Sequence, residues 1–171
     1  MCGRYGTLGL DWDAATAPLA ELGRPAPSDG FQPRINLAPH QYAPIIHLTE
    51  SRDRSPVPIA TLARWDLVPH WWSKPLEEKR FPSFNARLET LEEKPTFRDA
   101  FRYHRCLVPV SYFIEWRNEK QGKQPYRIEH SDGRPLLLAG LWAPWRGLQR
   151  GEPLQLVSFT ILVGKPNALV G

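Results

Sequence analysis

The chain has 171 residues, enough for one domain with a real core, and 42% of them are hydrophobic, which excludes disorder throughout. A net charge of +4 leans toward an anionic partner without demanding one, and seven Trp offer faces that stack on unpaired bases or pack a core. Two cysteines exclude a disulfide framework, no apolar leader segment is visible, and the longest apolar stretch, PLLLAGLWAPW, is too short to span a bilayer, so a soluble cytoplasmic protein is expected.

The chain opens MCGRYG. Methionine removal needs a small second residue, and Cys2 qualifies. Its exposed form would carry an α-amine and a thiol on adjacent carbons. A free α-amine has a pKa of about 7.7–8.0, so some of it is neutral near pH 7. That amine condenses with an aldehyde, and the thiol then closes a five-membered thiazolidine ring. An internal cysteine is barred from this chemistry because its nitrogen is an amide. The plainer alternative is a small residue at a tolerant position.

Residues 11–22 place Trp12, Ala15, Leu19 and Leu22 on one helical face. Asp11 caps the start, Gly23 the end, and Pro18 forces a kink or a shorter helix. The 18 prolines, about twice the usual share of roughly 5%, predict short elements and many loops. Residues 23–44 read as a long ordered loop. APIIHLT and PVPIATLARWDLV read as two strands joined by ESRDRS. Residues 73–82 read as loop. TLEE and TFRD have the Thr-x-x-acid form of a helix start, which predicts a short broken helix over 90–103. CLVPVSYFIEW reads as one strand, RNEKQGKQP as a hairpin turn, and YRIEH as the next strand. An Asp132-Gly133 turn leads into LLLAGLW, and LQLVSFTILV is the last strand. Short links favour antiparallel pairing. The fold class is therefore α+β: a β-rich single domain over residues 1–171, with a twisted, barrel-like, mainly antiparallel sheet and a few short helices.

Other chemistry finds little footing. The five histidines (His40, His47, His70, His104 and His130) form no metal-type spacing, so no metal is expected. There is no Gly-rich phosphate loop and no G-x-S-x-G elbow. Cys106 lies in an apolar run and reads as a buried structural thiol. Glu115, on an apolar strand, is unusual because a lone buried carboxylate is costly; the alternative is an edge position facing water.

MCGRY, INLAP at 35–39, WDLVPHWW at 65–72, FNARLET at 84–90 and CLVPVSYFIEW at 106–116 together resemble the SOS-response-associated peptidase (SRAP) family. The resemblance is ordered and runs from residue 1 to about 167. It implies covalent capture of abasic sites in single-stranded DNA: Cys2 forms a thiazolidine DNA–protein crosslink that shields the lesion, after autoproteolytic loss of Met1. The catalytic set it implies is Cys2 as nucleophile, Asn85 holding the sugar or the terminal cysteine, and Glu115 moving protons. Arg4 and Arg87 fit as phosphate clamps beside Gly3, with Trp71, Trp72 and Trp116 against bases. At least one of these three Trp is expected in the core. Asn36 and Pro39 shape a loop beside the N-terminus. No cofactor, no membrane and a monomer acting near the nucleoid complete the expectation. The rivals are a peptidase acting on itself or on peptides, and a non-catalytic single-strand-binding fragment.

The family pattern continues into an Ile-His-Asp-Arg-Met-Pro motif, and this chain reads SFTILVGKPNALVG instead. The expectation is a truncated family member that lacks the C-terminal segment and the motif's histidine; the alternative is a natural short variant with altered chemistry. His70, beside the Trp pair, is the best substitute among the histidines present.

Overall fold

The computed structural model describes residues 2–49, 55–120 and 122–165. Its longest strands, β8 (Leu136–Gln149) and β9 (Glu152–Val163), run antiparallel as a hairpin. Arg150 and Gly151 join them at φ of 52° and 84°, the left-handed turn whose twist matches that of the strands. With β2 (Tyr42–Leu48), β3 (Pro58–Trp65) and β5 (Arg105–Val110), they form a sheet in the order β3–β2–β5–β8–β9. β3 then pairs with β9 in parallel, Arg64 opposite Ser158 and Trp65 opposite Phe159. That pairing closes the five strands into a mixed barrel, which removes their open edges. The short β4 (Asn85–Arg87) adds to β9, also in parallel, with Asn85 opposite Ile161.

A second sheet stands beside the barrel. β1 (Arg4–Gly6), β6 (Tyr112–Glu119) and β7 (Gly122–Ile128) pair antiparallel in the order β1–β6–β7. The sequence CLVPVSYFIEW, expected as one strand, is thus two strands in two sheets. The break is at Ser111, whose N–H donates to the Gly6 carbonyl and whose hydroxyl donates to the Leu8 carbonyl. A single serine in an otherwise apolar run is the only local mark of the break, too little for periodicity to show it. The expected turn RNEKQGKQP is mostly strand as well, since β6 and β7 stay paired out to Glu119 and Gly122.

Helix α1 (Trp12–Thr16) starts where expected, with the Asp11 carboxylate accepting the Ala14 N–H at 3.0 Å. Ahead of Pro18 it tightens into a 3-10 turn over Ala17–Leu22 and ends at Gly23, φ 94°. Leu22 is exposed rather than on the buried face, because the tighter winding rotates it outward. Helix α2 (Pro95–Tyr103) follows a 3-10 turn over Leu88–Thr90. Neither Thr-x-x-acid signature caps it: Lys94 occupies the cap position without a side-chain bond and Pro95 begins the helix. A 3-10 turn over Leu76–Glu78 interrupts the loop expected at 73–82. ESRDRS, apart from Ser55, and the tail PNALVG lie outside the described residues.

The main core fills the barrel with Ile45, Trp65, Val108, Phe159 and Ile161, together with Tyr5, Leu37, Cys2 and Cys106. Trp65 stacks on Phe159 and lies tilted on Tyr5, centroids 4.8 Å apart. Each such large apolar side chain contributes about 1.5–3 kcal/mol on burial. Gly140 must lack a side chain, because a Cβ there would sit 2.8 Å from the Thr160 carbonyl and 2.9 Å from the Cys106 sulfur. A second cluster (Leu67, Leu91, Phe97, Leu141) underlies α2, and a third (Val68, Leu76, Trp145, Leu156) takes up Trp72. Among the described residues no helix is long and apolar enough to cross a membrane.

Candidate active site around Cys2

Cys2 precedes β1 and lies where the two sheets meet. Tyr5 anchors the segment: it is fully buried and exchanges backbone hydrogen bonds with Leu37, inside the INLAP loop, at 3.3 and 2.7 Å. That places the loop beside the N-terminal segment, as its residues suggest. Cys2 itself is 4% exposed, its thiol 3.7 Å from the Arg4 carbonyl oxygen. From β4, Asn85 reaches across 83 residues of sequence to donate its amide hydrogen to the Cys2 carbonyl at 2.7 Å. The amide oxygen of Asn85 is buried and has no hydrogen-bond partner among the described residues.

Glu115 approaches from β6. Arg4 pairs with Ile114, so the next residues along the ladder are Gly3 and Glu115. Side chains alternate faces along a strand. Glu115 therefore shares its face with Phe113 and with Tyr5, which is packed in the barrel core. Burial, and then the negative charge of Glu115, push the Cys2 thiol up from 9.0 to about 12. At neutral pH the sulfur is protonated, so any attack by it needs a base to take the proton. The sign for stability follows. Above pH 9 the unfolded chain ionises while the buried thiol holds its proton up to about pH 12, so this burial destabilises the fold as pH rises through that window.

The other face of the small sheet carries Arg4, Ile114, Trp116 and Arg127. Trp116 is 42% exposed, and the Arg127 guanidinium lies 3.8 Å from the centre of the Tyr112 ring. A Cβ on Gly3 would meet nothing within 4 Å, so open space flanks the backbone next to Cys2. Arg87 is exposed at the end of β4, two residues after Asn85. Cys2, Asn85 and Glu115 are thus brought together, with Gly3 beside them and Arg4 and Trp116 on the opposite face of the small sheet.

The tryptophan pair goes elsewhere. Trp72 packs in the third core cluster, edge-on to Phe81 at 5.6 Å, and donates to the Pro75 carbonyl. Trp71 is 45% exposed and donates to the Pro95 carbonyl at the start of α2. None of their hydrogen bonds or ring contacts is with Cys2, Asn85 or Glu115. His70 pairs with Asp99 on α2, 3.9 Å away. His47 is a satisfied core histidine, bonded to the Thr61 hydroxyl at 2.9 Å. Cys106 is a buried thiol, and burial alone raises its pKa. Among the described residues no group of His, Cys, Asp and Glu is placed to hold a metal ion.

One buried polar constellation is barely marked in the sequence. Asp66, buried directly after β3, binds Lys79 and Ser83, two residues before Asn85. A faint signal existed: Asp66 interrupts the apolar run RWDLV, where a charge is costly unless paired.

The model of the SOS response associated peptidase (SRAP) family matches residues 1–171. The chain is 34% identical over 171 residues to the abasic site processing protein YoqW of Bacillus subtilis, covering 99% of this chain and 71% of that protein. It is 33% identical to the abasic site processing protein YoaM of the same organism, covering 98% and 69%. A crystal structure of a Bordetella bronchiseptica protein superposes with a TM-score of 0.74 at 25% identity, over 98% of this chain and 74% of that one. Taken with the barrel and the Cys2–Asn85–Glu115 grouping, these likenesses establish that the chain belongs to the SRAP family.

Proposed function

We propose that this protein processes abasic sites in single-stranded DNA by forming a covalent crosslink through Cys2. The observation that carries the reading is the 2.7 Å hydrogen bond from Asn85 to the Cys2 carbonyl, which holds the N-terminal residue beside Glu115. The names of the relatives, abasic site processing proteins, support the substrate.

Hydrolysis of the Met1–Cys2 peptide bond consumes one water and releases methionine and a free α-amine. The amine adds to the C1′ aldehyde of the ring-opened deoxyribose, and loss of water leaves an imine. The Cys2 sulfur then bonds to the imine carbon, and its proton passes to the imine nitrogen, closing the thiazolidine. No oxidant is needed. Glu115 relays the protons: it gives one to the departing water and takes one from the thiol, whose raised pKa makes that help necessary. The open acceptor on Asn85 suits the α-ammonium or a sugar hydroxyl. Gly3 leaves room for the sugar, Arg4 and Arg87 meet phosphates, and Trp116 stacks on a flanking base. Trp71 and Trp72 serve the fold around the 3-10 turn and α2 rather than the strand. In this reading the protein acts as a monomer on nucleoid DNA in the cytoplasm, within the DNA damage response.

A denaturing gel with an abasic oligonucleotide tests the proposal. A slow-migrating band is expected with the wild type, and none with Cys2→Ala. Intact mass should show a chain lacking one methionine. DNA retained only under native conditions, equally by both proteins, would favour a non-catalytic binder. Cleavage of an unrelated peptide would favour a peptidase.

A further inference from the structure

We propose that Asp66 is a positioning residue for the Cys2 centre: paired with Lys79, it sets the place of Asn85 by gripping Ser83. The inference rests on the catalytic reading above for its activity arm, and on geometry for its origin.

Asp66 has φ of 141°, a backbone conformation that favours glycine. An aspartate there is strained, so its side chain must supply something in return. Its carboxylate accepts the Lys79 ammonium at 2.8 Å, the Ser83 N–H at 2.7 Å and an Arg64 guanidinium N–H at 3.3 Å. The Lys79 side chain is 1% exposed and Asp66 3%. Burial alone would raise the carboxyl of Asp66, but the Lys79 and Ser83 donors outweigh it and hold the group below its usual value. An ion pair so deep in the protein, even with Arg64 beside it, is weak evidence of stability, because desolvation opposes attraction. A role in fixing geometry accounts for its presence better.

The grip leads to the site. The Ser83 hydroxyl lies 2.6 Å from the Leu67 carbonyl and 3.0 Å from the Asp66 carboxylate, and its one proton serves one of them at a time. Leu67 N–H donates back to the Ser83 carbonyl, and the Trp65 indole donates to the Phe84 carbonyl at 2.8 Å. Residues 65–67 thus clamp residues 83 and 84, and the next residue is Asn85. Lys79 closes the intervening loop by also donating to the Phe81 carbonyl at 2.8 Å and lying over the Phe81 ring at 4.4 Å. Release of the clamp would let Asn85 drift from the Cys2 carbonyl, and a displacement of about 1 Å can cost about 10²-fold in rate.

The test uses Asp66→Gly/Lys79→Met, which removes both charges together and relieves the backbone strain. Crosslinking to the abasic oligonucleotide is timed at saturating DNA in the wild type, this double variant, Asn85→Ala, and their combination. The double variant is expected to be about ten- to a hundred-fold slower with unchanged DNA affinity. In the Asn85→Ala background it should have no further effect. Asp66→Asn/Lys79→Met, which keeps an oxygen for the Ser83 amide, should recover most of the rate. Equal slowing by the Gly and Asn versions, or slowing that multiplies with Asn85→Ala, overturns the proposal. Should the Gly version fail to fold, Asp66→Ala/Lys79→Met, which also removes the acceptor for the Ser83 amide, replaces it, and an unchanged rate there overturns the proposal too. Should the wild type form no adduct, the catalytic reading fails by itself. The clamp is then judged by hydrogen exchange of the Asn85 side-chain amide, expected to be slow in the wild type and faster in the double variant; equal exchange overturns it.

Discussion

The closed barrel and the three-stranded sheet contribute opposite things to the Cys2 centre. Asn85 comes from the barrel side, where β4 lies on β9 and Asp66, paired with Lys79, accepts the Ser83 N–H. Glu115 comes from β6, whose outer half, from Trp116 to Glu119, is exposed, as is most of β7. One partner is placed by strand pairing and buried polar contacts, and the other sits where a sheet passes from core to solvent. A proton carrier needs access to water and substrate, whereas a hydrogen-bonding positioner needs fixed placement. In the proposed mechanism the two regions divide the work on those grounds.

Three measurements would break or sharpen this contrast. The largest effect is expected from Glu115→Gln, which should slow crosslinking by about 10²–10⁴-fold while leaving single-strand binding intact. Equal rates would remove Glu115 from the chemistry and leave the small sheet a binding element alone. Next, Trp72→Ala should lower stability by about 2–4 kcal/mol by emptying the third core cluster, whereas Trp116→Ala should change stability little and weaken strand binding. Thermal melts read beside binding curves decide it, and a reversed pattern would exchange the assigned roles of the two regions. The smallest effect is expected from Arg87→Ala, on β4 yet exposed. Its loss should weaken binding and reduce the slope of log affinity against log salt by about one unit. An unchanged slope would make Arg87 structural.

The sequence announced much of this, in places unevenly. The Asp11 cap, the stop at Gly23, the β2–β3 pair and the β8–β9 strands follow local rules, because capping, turn chemistry and alternation act between near neighbours. The division of CLVPVSYFIEW did not, since the break at Ser111 is set by hydrogen bonds to Gly6 and Leu8, over a hundred positions upstream. The tryptophan pair shows the same limit. Adjacent residues of one type read alike, and only the packing of Leu76, Trp145 and Phe81 sorts Trp72 inward and leaves Trp71 half exposed.

By itself the sequence determined the β-rich composition, the reactive potential of a cysteine in second place, and the motifs that carry the SRAP likeness. Those properties reside in single residues or short runs. Tertiary structure alone decided that the sheet closes through a parallel β3–β9 pairing, that Asn85 meets the Cys2 carbonyl, and that Asp66 and Lys79 find each other in the interior. Each of those is a contact between distant segments, and its energy exists only once the barrel has brought them within bonding range and excluded water from between them.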